Sequence, residues 1–162
     1  MTGGGEPRPD HDRLAGRQAA VARAVASSSE KAAGDALGEV PGPALDAGQV
    51  AWSRRQLRIK RAGAIAHRAP LLADAVAASG STLTAEYLAW IDGVGGGDGA
   101  ETLGEAAALS AHLCSRMAMP LAVVDELLVL RDRAAGPSRA RVLRQGGRWM
   151  IRIGERRRFG GR

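Results

Sequence analysis

Between Leu45 and Ser79 the apolar positions recur at helical spacing. Trp52, Ile59, Ala62, Gly63, Ala66 and Ala69 share one arc at about 100° per residue, which predicts a helix with that arc buried. Its start is marked twice. Asp46 is placed to cap the helix while Gln49 reaches back to the free donor, and Leu45 and Val50 are placed to pack on each other as a hydrophobic staple. Pro70 lacks an amide hydrogen and clashes with the preceding turn, so a kink or break is expected between Arg68 and Pro70. Leu71, Leu72, Ala75 and Val76 then carry the pattern on to Ser79.

The same reading extends to both sides. His11 to about Ser27 predicts a first helix with Leu14, Gln18, Val21 and Val25 on one stripe. Residues 27–43 carry three serines in a row, glycines and prolines, and read as a loop with one helical turn around Glu30 to Leu37. Ser81 or Thr82 caps a short helix to Asp92 whose apolar residues are Leu83, Tyr87, Trp90 and Ile91. A glycine-rich loop follows over 93–99. Thr102 and Glu105 predict a capping box, with Leu103, Ala106, Leu113 and Met117 apolar behind it. Pro120 suits a first helical turn, with Leu121, Val124, Leu127 and Leu128 inward and Gly136-Pro137 as the stop.

The period then changes from helical to alternating. Residues 138–145 and 148–153 flank Gly146-Gly147, a two-residue turn that closes a β-hairpin. In that register Arg144 faces Trp149, Val142 faces Ile151 and Ala140 faces Ile153, giving one largely apolar face. The other face holds Arg141, Leu143, Arg148, Met150 and Arg152. Arg141 and Arg152 lie opposite each other, which is unfavourable without an anion or acid nearby. A lone two-stranded hairpin is marginal in water, so it must lean on the helices, gain a third strand, or both.

The expected fold is therefore mainly α, a compact bundle of about five to six helices with a C-terminal β-hairpin. Its parts are a disordered N-terminus over 1–10, a helical domain over 11–136, the hairpin over 137–155 and a basic tail over 156–162. With five aromatic residues in 162, the core must be built from Leu, Val, Ile and Ala.

Charge changes this picture more than composition does. The net charge is +6, but from Arg133 onward there are ten arginines against Glu155 alone, while residues 69–132 carry nine acids against Arg116 and Arg131. Arg54, Arg58, Arg61 and Arg68 lie on much of the side of the long helix opposite its apolar arc. No acid occurs between Asp46 and Asp74 to neutralise them. Like charges at this spacing repel, so these arginines are candidate contacts for a partner or an anion. Their alternative is the acidic segment of the same fold.

Candidate chemistry is sparse. Cys114 is the single cysteine, so no internal disulfide forms, in keeping with a reducing cytoplasm. No signal-peptide pattern opens the chain, and no apolar run approaches the roughly 20 residues that span a bilayer. His11, His67, His112 and Cys114 are the candidate soft ligands, and on a helix His112 and Cys114 diverge. The glycine-rich loop has neither a preceding strand nor a Lys-Ser/Thr pair for phosphates. Asp125 and Glu126 are adjacent and diverge. No catalytic constellation, metal or cofactor is expected, and the chain reads as a non-enzyme.

The order of these features resembles a known family. An amphipathic helix, a Pro/Gly loop, Trp52-Ser53-Arg54-Arg55-Gln56, then Ala69-Pro70-Leu71-Leu72 and Tyr87-Leu88-Ala89-Trp90 are similar to the HvfC/BufC-type helical domain, often labelled a DNA-binding domain, in its short actinobacterial form. The resemblance covers roughly Arg13 to Asp132. This chain departs from it at Ala69, where an aromatic is usual, and in the glycines of 93–99. The resemblance implies a partner subunit of a multinuclear non-heme iron oxidative enzyme that modifies ribosomally made precursor peptides. It also implies that the leader peptide can be held as an added strand at the C-terminal sheet. Arg141, Leu143, Arg148, Trp149, Met150, Ile151 and Arg152 are then the candidate peptide contacts, with an acidic peptide favoured. Two other expectations stand beside this one: nucleic-acid binding through the arginine-rich helix and tail, and a structural or regulatory helical protein.

Overall fold

The structure is a computed structural model and describes residues 9–27, 30–38, 46–94, 102–138 and 140–161. Those residues form seven helices and a three-stranded antiparallel sheet, a mainly α fold. The helices are α1 (Pro9–Ala26), α2 (Glu30–Gly38), α3 (Ala47–Arg68), α4 (Pro70–Ala78), α5 (Leu83–Val94), α6 (Thr102–Arg116) and α7 (Leu121–Ala134). The strands are β1 (Ala140–Gln145), β2 (Arg148–Ile153) and β3 (Arg156–Gly161). Two compact units result. The first holds α1, α2 and α3 up to Arg58; the second runs from Ile59 and includes the sheet.

In the first unit, α1 buries Ala20 and Ala24, and Ala24 clusters with Ala33 and Val50. Leu14 and Gln18, expected on the inner stripe, are exposed. Residues 30–38 form a full helix where a single turn was expected. Asp46 caps α3 as expected: its carboxylate accepts the Gly48 amide at 2.8 Å and the Gln49 amide at 3.4 Å. Leu45, the other half of the expected staple, and most of the expected disordered N-terminus lie outside the described residues.

The buried line of α3 differs from the expected arc. Trp52 is 64% exposed and Gly63 is open, whereas Val50, Arg54 and Ile65 are buried; Ala62 and Ala69 of the expected arc are buried as expected. The true line sits about 100° around the helix from the expected one, one residue's rotation. Tertiary partners choose the face, and the long stem of Arg54 is buried while its head donates to the Ser27 carbonyl at 3.2 Å.

In the second unit, Pro70 breaks the helix where expected. Ala69 leaves helical geometry (φ −129°, ψ 65°), and α4 starts with proline in its first turn. Ala69 offers no side-chain cap. The Glu126 carboxylate of α7 supplies it, accepting the Leu71 amide at 3.1 Å and the Leu72 amide at 3.0 Å. Thr82 caps α5, accepting the Ala85 amide at 3.2 Å. The core joins Ile65, Leu72, Val76, Tyr87, Leu109, Leu113 and Leu127. Leu121, expected inward, is exposed, and Val123 and Leu130 are buried instead.

Glu105, expected to complete a capping box, turns inward instead. It is nearly fully buried and accepts the Tyr87 hydroxyl at 2.9 Å, with an Arg61 nitrogen 3.8 Å away. Burial, reinforced by this carboxylate, pushes the Tyr87 phenol well above its ordinary value.

Candidate functional site

The sheet has two edge strands, β1 and β3, that pair with no further strand among the described residues. Gly146 and Gly147 take positive φ (52° and 80°) and close the hairpin, and the register is the expected one: Arg144 opposite Trp149, Val142 opposite Ile151, Ala140 opposite Ile153. The chain then turns again at Gly154 (φ 59°). Residues expected as a basic tail form β3, with Met150 opposite Phe159 and Ile151 opposite Arg158. The signal was present in the sequence. Gly154-Glu155 after Ile153 is a second two-residue connection, and an arginine run obscures the strand that follows it.

The two faces of the sheet are used opposite to the simplest reading of their polarity. The arginine-bearing face is directed at α7. Met150 at its centre is fully buried, while Val142 (58%) and Ile153 (68%) on the apolar face are exposed. Acids on α7 decide this. Asp132, almost wholly buried, draws one arginine from each strand: Arg152 Nε at 2.8 Å, Arg157 Nη2 at 3.2 Å and Arg141 Nη1 at 3.7 Å. Arg141 also donates to the Asp132 and Ala135 carbonyls at the C-terminal end of α7. Asp125 holds Arg148 through two nitrogens at 2.7 and 3.1 Å, and this bonding holds the guanidinium above its ordinary range. The like-charge pair Arg141–Arg152 thus has its acid within the same unit. Arg152 Nε and Asp132 Oδ1 meet as an ion pair without hydrogen-bond geometry, and Arg152 Nη2 likewise has no hydrogen-bond acceptor.

Of the candidate peptide contacts, Arg141, Arg148 and Arg152 are therefore engaged internally. Leu143 is half-buried and Met150 buried on that same face. Trp149 and Ile151 are half-buried on the outer face, where Trp149 lies over Gly160; a Cβ at Gly160 would fall inside the indole ring. A shallow hollow of about 360 Å³ opens beside the turn, lined by Arg144, Gln145, Gly146, Gly147, Arg148 and Trp149. Along α3, Arg54 and Arg61 are held as described, Arg58 is half-buried, and Arg68 is exposed in the last turn, where a cation complements the helix dipole.

The two rims of the sheet also differ. Alternate residues of an edge strand turn their amides and carbonyls outward. On β1, the Ala140 carbonyl accepts the Ser138 hydroxyl at 2.8 Å and the Arg144 carbonyl accepts Arg131 at 3.2 Å. On β3, no strand among the described residues pairs with the outer rim, and Arg156 and Arg158 are exposed along it.

Among the described residues no three or more His, Cys, Asp or Glu side chains group to hold a metal ion, and no helix is long and apolar enough to cross a membrane. His112 sits near Trp90 and Arg116, and burial raises the half-buried Cys114 thiol above its ordinary value. No protein-family model, no curated protein and no solved structure matches this chain. The described residues define a mainly helical protein that carries a small three-stranded sheet whose edge strands, β1 and β3, pair with no further strand among them.

Proposed function

We propose that this chain is a non-catalytic partner protein that holds an extended precursor peptide as a fourth strand against β3. As the family resemblance implies, it presents that peptide, as one half of a heterodimer, to an iron-dependent oxidative enzyme in the cytoplasm. The observation that carries this reading is the open rim of β3 beside two exposed arginines. Main-chain bonding supplies affinity in strand addition, and alternate side chains supply selectivity. Acidic residues opposite Arg156 and Arg158 complement their charge, so selectivity for an acidic peptide moves from Arg141, Arg148 and Arg152 to β3. The β1 rim is a poorer acceptor because two of its outward carbonyls already have donors, against one on β3, where the Gly161 carbonyl accepts Arg148 at 3.3 Å.

The test uses an extended peptide of alternating Glu and Val, titrated against the full chain. N-methylation at every second residue removes donors from one side of the added strand only. One methylated set should lose at least tenfold in affinity and the other should bind as the parent does. Equal effects of both sets, or no binding of the parent peptide at high micromolar concentration, would overturn strand addition.

The second reading, nucleic-acid binding, draws on the same exposed arginines of β3. Arg54 and Arg61 weigh against an extended basic surface because each is held within its own unit. Phosphate contact predicts affinity for duplex or single strands that falls steeply with salt. A salt titration with both forms of DNA separates this reading from the first.

A further inference from the structure

We infer that the outer face of the sheet is a second contact surface, built to be covered by one amphipathic, acid-flanked helix of a partner protein. The face is a grid of three rows: Arg144–Trp149–Gly160, Val142–Ile151–Arg158 and Ala140–Ile153–Arg156. Its β1 and β2 columns are apolar apart from the Arg144 corner, and its β3 column is cationic. An antiparallel sheet with one wet face ordinarily carries polar residues there. Here Val142 and Ile153 stand in solvent at 58% and 68% exposure, and an apolar centre with an arginine rim is the composition of an interface.

Dimensions select a helix. Three strands about 4.8 Å apart place β1 and β3 about 10 Å from each other, which is the width of one helix with its side chains. Strands of six residues run about 20 Å, the length of about 14 helical residues. On the opposite face α7, with 14 residues, packs on β1 and β2, while Phe159 on β3 stays exposed. Among the described residues no helix packs on the outer face as α7 does on the inner one.

Charge selects the occupant. The face carries three arginines and no acid, so a second copy would bring six cations to one interface without a counter-charge, and like charges at an interface are strongly disfavoured. The stretch from Met1 to Arg58 carries eight basic residues against seven acids, so it offers no acidic surplus. A partner helix with apolar residues at i, i+3, i+4 and i+7 and glutamates along one flank fits both columns. This inference shares Arg156 and Arg158 with strand addition but uses no main-chain group of the rim, so the serine pair at Val142 and Ile153, which leaves both arginines in place, separates the two.

The probe is a stapled synthetic helix of about 14 residues with leucines on one face and glutamates on the flank. Its controls are a lysine-flanked twin and a scrambled peptide of the same composition. The full chain should bind the acidic helix with affinity that weakens as salt rises, and both controls should bind at least tenfold less well. Val142→Ser with Ile153→Ser changes two exposed positions and should lose at least tenfold for the helix, while the Glu/Val strand peptide binds as before. Arg156→Glu with Arg158→Glu should reverse the preference toward the lysine twin. Circular dichroism and thermal unfolding of each variant establish that the fold is kept. The inference is overturned by equal binding of acidic and basic helices, by no binding, by self-association of the chain that the serine pair dissolves, or by DNA displacing the acidic helix at equal concentration.

Discussion

Asp132→Asn tests what fixes the sheet on the helices. The native carboxylate is buried and meets three guanidinium groups, one from each strand, which retain 14–31% side-chain exposure. Removing one partner of a buried ion pair costs about 3–5 kcal/mol, because the remaining charge is left without compensation. The partial exposure of Arg141, Arg152 and Arg157 lets water recover some of that cost, so the lower end, about 3 kcal/mol, is expected. Domains of this size are stable by about 5–15 kcal/mol, and each kcal/mol moves the melting temperature by about 2–4 °C. The melting temperature should therefore fall by about 6–12 °C. Guanidinium denaturation gives the free energy, and hydrogen exchange locates the loss. Amides of β1, β2 and β3 should lose protection before those of α4 to α6. A variant within about 0.5 kcal/mol of the parent, the range of an ordinary surface substitution, with sheet amides still protected, would show that the convergence on Asp132 does not hold the sheet.

Glu126→Ala removes the cap that α4 takes from α7; it should cost about 1–2 kcal/mol in denaturant, and Glu126→Gln should cost less. Gly160→Val forces the Trp149 indole off its neighbour, so indole emission should shift toward that of exposed tryptophan and β3 amides should exchange faster. Tyr87 is the single tyrosine, so absorbance can follow its titration without interference. Its phenol is raised above the ordinary value of 10 by burial and by Glu105. Below that pH folded and unfolded chains both keep the proton. Above it the unfolded chain sheds a proton that the folded chain retains, so stability should fall as pH climbs past about 10, and Tyr87→Phe should flatten that decline.

How far the fold was legible depended on range. Asp46, Pro70, Thr82, Pro120 and Gly146-Gly147 each act through a backbone donor or dihedral a few residues away, so the element boundaries and the hairpin register followed from local rules. The side of each element that is buried followed less well. On α3, the sequence favours Trp52 for the inside, but Arg54 lies there because its stem packs and its head meets the Ser27 carbonyl. The third strand was hidden because Arg156-Arg157-Arg158 looks like a solvated run until Asp132 is brought beside Arg157.

The candidate site shows the same division. Alternation alone separated Arg141, Arg148 and Arg152 from Val142, Ile151 and Ile153, and so determined that the ribbon has one charged and one apolar face. It could not say which face turns inward, and hydrophobicity alone gives the wrong answer. Asp125 and Asp132 lie 9 to 25 residues away in the chain from the arginines they hold, and only folding places α7 beneath the sheet. Local periodicity is a property of neighbours in the chain, whereas the choice of buried face depends on charges that become neighbours only in space.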